Sequence, residues 1–310
     1  MDLNTLNNFL TDIAVAPFTG GSRLAWPFLV ASVVLLFAFL LFSANNAVLR
    51  GQARQLLTWR YWLNGQSGLD LAYTLLNSAL KLWVLVPLLA SQMVATIWVI
   101  NLLQQAFGPG PDWQLAAVGM AGLFTVVFFL LDDVTRFALH WALHRVPGLW
   151  HLHKVHHAAE NLTPLTLLRV HPLEMALYYC RSLAVVSVVG GVFIYCFVGK
   201  VMAWDIIGIN GFAFLFNALG ANLRHSPVAI QFGALEKWFI SPAQHQIHHS
   251  VQPQHHNVNY GSALAIWDRW LGSWRSGAEA VDLKFGLSQG QPLRDHPSTS
   301  HSPASGQIVR

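Results

Sequence analysis

The chain is short of charge. Lys, Arg, Asp and Glu together make up 10% of its 310 residues, while 54% are hydrophobic and the mean hydropathy is +0.43. Soluble domains carry about 25% charged residues. So few charges cannot coat a water-soluble globule of this size, and the surplus apolar surface must face lipid. Cysteine is also scarce. Cys180 and Cys196, both in or beside apolar segments, exclude a disulfide framework and a cysteine-based zinc or iron–sulfur site. No G-x-G-x-x-G follows a strand to hold a flavin or nicotinamide, and no haem-attachment motif occurs. The net charge of +4 and the pI near 9.3 fit the basic loops of a membrane protein rather than a nucleic-acid partner.

What the chain does have is long apolar runs. Five of them, at 26–42, 82–100, 115–131, 183–198 and 206–221, approach the length needed to cross a hydrocarbon core of roughly 30 Å. The first opens with Trp26-Pro27 and is read as a span rather than a cleaved signal, since neither a basic n-region nor a small-residue cleavage site flanks it. The last two, with Lys200 and Asp205 between them, read as a hairpin that crosses and returns. Basic residues set the orientation. Arg50, Arg54, Arg60 and Lys81 follow the first span, the segment 101–114 carries none, and Arg136, Arg145, Lys154, Arg169 and Arg181 follow the third. The positive-inside rule then places the N-terminus outside and puts 132–181 and 224–310 together on the cytoplasmic face. All 15 histidines fall in those two segments.

The histidines are patterned. The third apolar run continues without Gly or Pro to Pro147, so one helix should leave the membrane carrying His140 and His144, four apart on one face. Asp133 lies two turns earlier, where a carboxylate could orient a ligand imidazole. His153, His156 and His157 form an H-x-x-H-H cluster, and His245, His248 and His249 repeat it. Helical spacing lets each doublet aim one imidazole at each of two neighbouring metals. Eight box histidines exceed the roughly four donors of a mononuclear zinc site, so two metals fit better. Imidazole alone does not choose among zinc, copper, iron and nickel. The absence of H-E-x-x-H disfavours a zincin protease, and the absence of Glu-x-x-His pairs disfavours a soluble carboxylate-bridged di-iron bundle. His151 points away from its neighbours. His296 and His301 fall in the Ser-, Pro-, Gly- and Gln-rich stretch 288–310, which reads as a disordered tail.

As a set these motifs resemble the fatty acid hydroxylase/sterol desaturase superfamily of membrane non-haem di-iron oxidases. The resemblance covers about 70–287, after an N-terminal segment 1–69. It is densest from Asp133 through His157 and from Ile240 through Gly261, with further likeness in the segment from Arg169 to Glu174 and at Trp267-Asp268-Arg269. It implies an all-α, polytopic membrane bundle whose cytoplasmic, histidine-rich helical cap holds a dimetal site. The implied ligands are His140, His144, His153, His156, His157, His245, His248 and His249, with His225 added from the segment after the hairpin. Many relatives have a histidine near Gly220, for which Asn222 could compensate. His171, His256 and Asn259 are weaker ligand or supporting candidates.

The implied cofactor is two iron ions, with zinc a possible substitute in purified protein. The implied reaction is O2-dependent attack on an unactivated C–H bond of a lipid, giving hydroxylation or, with loss of a second hydrogen, desaturation. The lipid classes open are fatty acyl, sterol, sphingoid, ether and ornithine lipids. Because the chain carries no redox cofactor motif, electrons are expected from a separate ferredoxin or small haem protein with its reductase, docking near Arg145 and Lys154. Three other readings compete. A bis-histidine haem protein would place single histidines on facing helices inside the bilayer. A metal transporter would need polar ligands along the spans, which are almost free of ionisable groups. A zinc hydrolase would keep its activity when zinc replaces iron.

Overall fold

The computed structural model describes residues 11–13, 15, 18, 24–42, 47–88, 92–197 and 221–287. The return arm of the expected hairpin up to Gly220, and the stretch 288–310 with His296 and His301, lie outside them. Among the described residues there is no strand, only two isolated bridges, Phe239 with Leu264 and Ser250 with Phe285. The principal helices are α1 (Trp26–Phe42), α2 (Ala47–Gln55), α3 (Gly65–Leu80), α4 (Gln92–Phe107), α5 (Ala117–Arg145), α6 (Pro147–His157), α7 (Pro172–Cys196), α8 (Pro242–His248) and α9 (Ile266–Leu271).

Two of these, α5 and α7, are long and apolar enough to cross a membrane. At 29 and 25 residues they measure about 43 and 37 Å. Only 17% and 28% of their most apolar stretches are buried inside the protein. A core helix of a soluble protein would be mostly buried, so their exposed apolar sides call for a lipid solvent. The expected span at 82–100 is described in separate pieces. Helix α3 runs into a π-helical turn, Lys81–Leu85, then Val86–Leu88, and α4 begins at Gln92. Pro87 supplies a reason for the irregular turn: it has no N–H to give the carbonyl four residues back.

Helix α7 packs against both α4 and α5. Met120 and Phe124 of α5 meet Val185, Val189, Phe193 and Cys196 of α7 in one apolar cluster. The rings of Phe124 and Phe193 contact edge to face, 4.9 Å between centroids. Against α4, Gly191 makes the close approach possible. A Cβ there would lie 2.6 Å from Cγ1 of Val99.

At one end of these helices a cap is built from short elements with strong stop and start signals. Val146 ends α5, and Pro147 opens α6 as a new first turn. Such a proline lacks only an N–H that would be unsatisfied anyway. Helix α7 starts with Pro172 and is capped by His171, whose Nδ1 accepts from the N–H of Leu173 at 3.2 Å. Helix α8 starts with Pro242 behind a reciprocal Ser241–Gln244 capping box. Buried carboxylates tie the cap together. Glu236 takes Ser241 Oγ at 2.7 Å and the N–H of Gly277 at 2.8 Å. Asp268 takes the N–H groups of Tyr260 and Gly261 at 2.9 and 2.7 Å, and the Ser273 hydroxyl at 2.6 Å.

Candidate metal centre

Four separate stretches bring nine imidazoles to one place. The last turns of α5 carry His140 and His144. Helix α6 carries His153, His156 and His157. The 3₁₀ turn Ala221–His225 supplies His225, and α8 with its C-cap supplies His245, His248 and His249. Their donor atoms fall into two groups, within each of which all lie inside 4.8 Å of one another. One group is His140, His144, His153, His157 and His248. The other is His156, His225, His245 and His249. Each doublet is divided between the groups, His157 and His248 going to the first and His156 and His249 to the second. The two boxes are used in opposite senses: the i, i+4 pair of α6 serves the first group, and that of α8 serves the second.

The tautomers follow from the partners. His140 Nδ1 lies 2.7 Å from the carbonyl of Tyr260, and His248 Nδ1 lies 2.7 Å from that of Val258. A carbonyl only accepts, so Nδ1 carries the proton and Nε2 presents its lone pair to the group. His153 Nδ1 lies 2.7 Å from Glu174 Oε1, and the same tautomer results when that carboxyl is ionised. The Nε2 atoms of His140 and His153 are only 3.1 Å apart. Two facing lone pairs at that distance repel unless a cation lies between them. In the second group, the Nε2 atoms of His225, His245 and His249 form a triangle with sides of 3.2 to 3.3 Å, and His156 Nε2 is 3.4 Å from that of His225. Nitrogens bound to one ion at about 2.1 Å stand about 3.0–3.4 Å apart for angles of 90–109°. Both groups therefore fit a metal ion.

Burial keeps the donors uncharged. It pushes the imidazolium pKa of His153 and of His156 down to about 3. His157, His245, His248 and His249 are held well below the ordinary value, first by burial and then by neighbouring imidazoles. Neutral imidazole is the form that binds metal. His144 is the half-exposed member of the first group. Trp150, also half-buried, stands beside it at 5.1 Å between ring centroids and reaches His157 at 5.5 Å, walling that side of the group.

Other expected residues lie elsewhere. Asp133 does not reach an imidazole. Its oxygens accept from the N–H groups of Ala263 and Leu264 at 2.8 and 3.1 Å and from Trp267 Nε1 at 2.8 Å. It therefore pins the loop that carries Tyr260, whose carbonyl meets His140. His171 is a helix cap, and His256 faces the carbonyl of Val251 at 3.2 Å. Neither belongs to a group. Asn222 is buried in the turn that ends at His225. Asn259 is buried in the loop between Val258 and Tyr260. His151 is exposed, its Nδ1 on the carbonyl of Pro147 at 2.7 Å. Glu174, which the sequence offered only as part of a motif, is the carboxylate against His153. A lone acid in the first turn of an apolar helix was the signal.

The family model described as fatty acid hydroxylase matches residues 125–273, a range containing all nine histidines and Glu174. The ornithine lipid hydroxylase OlsE of Rhizobium tropici is 24% identical over 74% of this chain and 64% of its own length. Alkylglycerol monooxygenases of Caenorhabditis elegans and Xenopus tropicalis are 24% and 26% identical over 53% and 58% of this chain. The matched region spans only 30% and 35% of those two proteins. No solved structure matches the chain.

Proposed function

The chain belongs to the fatty acid hydroxylase/sterol desaturase superfamily, and on that premise we propose that it is a membrane lipid hydroxylase with two iron ions in its paired histidine groups. The observation that carries the reading is the pair of donor sets, five and four imidazoles, each converged within 4.8 Å. Bound iron would supply reductive activation of O2 and attack on an unactivated C–H bond. His140, His144, His153, His157 and His248 would hold one ion, and His156, His225, His245 and His249 the other. Tyr260, Val258 and Glu174 orient three of the donors through Nδ1. The buried cap keeps bulk water from most of the donors, which limits side reactions of a strong oxidant.

The substrate proposed is a lipid arriving through the bilayer beside α5 and α7, whose exposed apolar sides support that route. The relatives' names, an ornithine lipid hydroxylase and alkylglycerol monooxygenases, support hydroxylation and a polar lipid. Desaturation would use the same site. The chain is further proposed to cross the membrane several times with its cap on the cytoplasmic face, where basic residues such as Arg145 and Lys154 would meet a ferredoxin or small haem protein. Gathering of the histidines at one end of the helices argues against a bis-histidine haem between facing spans.

The deciding experiment is metal analysis of the purified protein together with lipidomics of cells with and without the gene. Two iron ions per chain and lipids differing by one oxygen are expected. A mass difference of two hydrogens would indicate desaturation instead. A Soret band, or activity that survives replacement of iron by zinc, would overturn the reading.

A further inference from the structure

We propose that Glu174 makes the five-histidine group the tighter of two metal positions, so that the two ions load and leave in separate steps. This rests on the two-ion reading above. Glu174 is 1% exposed, and its Oε1 accepts from His153 Nδ1 at 2.7 Å. Its Oε2 is buried with no hydrogen-bond partner, so His153 is its hydrogen-bonded contact. The carboxylate sits in the first turn of α7, where the His171 cap and Pro172 start the helix and where the helix dipole favours an anion. A buried carboxylate behind a ligand imidazole fixes the ring and makes its other nitrogen a stronger donor.

The two groups differ in this support. In the five-histidine group the carbonyls of Tyr260 and Val258 hold two further rings. In the four-histidine group the Nδ1 atoms of His245 and His249 are buried with no hydrogen-bond partner. Loss of such outer contacts typically weakens metal binding about 10–100-fold. The anchored group should therefore bind its ion more tightly by a factor of that order.

The test is a titration of the full chain, purified in detergent and stripped of metal, with Zn2+ alone against a competing chelator. The wild type should bind two equivalents whose affinities differ at least about tenfold. Glu174→Gln keeps an oxygen to accept from His153 but loses the charge, so the tighter equivalent should weaken about 10–100-fold while the weaker one is unchanged. His245→Ala should abolish the weaker equivalent and spare the tighter. Glu160→Gln, a change at an exposed carboxylate, should alter neither. Two equal equivalents in the wild type, or an unmoved tight step in Glu174→Gln, would overturn the inference and leave the two-ion reading standing. No zinc binding by the wild type would overturn both. Should Glu174→Gln fail to fold, Glu174→Asp, which keeps the charge but draws it back from His153, takes its place, and an unmoved tight step in that variant would overturn the inference.

Discussion

The carbonyls of Val258 and Tyr260 each receive an Nδ1–H from a different histidine of one group, His248 and His140 respectively, both at 2.7 Å. The two residues flank Asn259, which is in the left-handed conformation at φ 53°. Asn259 holds that turn with its side chain. Its Nδ2 donates to the carbonyl of Gln244 at 3.1 Å, and its Oδ1 accepts from the N–H of Arg275 at 2.8 Å.

Asn259→Ala should therefore cost stability and metal together. The alanine meets the left-handed penalty, about 1–2 kcal/mol, and two buried hydrogen bonds are lost, about 1 kcal/mol each. Asn259→Gly keeps the conformation and should lose less. Thermal unfolding of the detergent-solubilised protein measures the difference, and equal losses in the two variants would refute the conformational part.

Asp133→Asn should loosen the same loop from the other side. One of its two accepting oxygens becomes an amide nitrogen facing donors, and a broken charge-assisted bond of this kind costs about 1.5–3 kcal/mol. Trp267→Phe removes only one of the three donors and should cost about 1 kcal/mol. A Trp267 variant as damaged as the Asp133 variant would show that indole packing, not the carboxylate, holds the loop.

Removing either group's shared donors should abolish function without unfolding the spans. His248→Ala and His156→Ala are each expected to lose the ion of their own group, and nearly all activity, while still inserting in the membrane. His151→Ala, on the same helix as His156 but exposed, should retain both. Metal analysis of membrane-extracted protein checks all three, and full metal content in either of the first two would contradict their placement as donors.

Metal should also stabilise the cap. An ion that binds only the folded state adds about 2.7 kcal/mol at one hundred times its dissociation constant. Stripping metal with a chelator should lower the melting temperature, and restoring it should reverse the loss. A melting temperature indifferent to metal would mean that the imidazoles hold no ion in solution.

Gly191→Ala tests the helix bundle apart from the site. Its Cβ would sit 2.6 Å from Cγ1 of Val99, and overpacking of this kind costs about 1–3 kcal/mol. Lower thermal stability with unchanged metal stoichiometry is expected, and an unaffected melting temperature would show that α4 and α7 can move apart freely.

Much of the site could be read from the chain because it is local. The apolar excess marked α5 and α7, the uninterrupted run to Pro147 joined His140 and His144 to one helix, and the two H-x-x-H-H boxes followed from helical spacing alone. Spacing fixes which imidazoles share a helix face, since neighbouring turns of one helix have a set geometry. It does not fix which partner that face meets. The division into five and four donors, the opposite use of the two boxes, and the turn of Asp133 toward a loop 130 residues away were decided by packing. The same holds for Glu174, whose place behind His153 exists only because α6 and α7 start where their prolines start them. Contacts between distant segments depend on how whole helices cross, and no local pattern of residues carries that information.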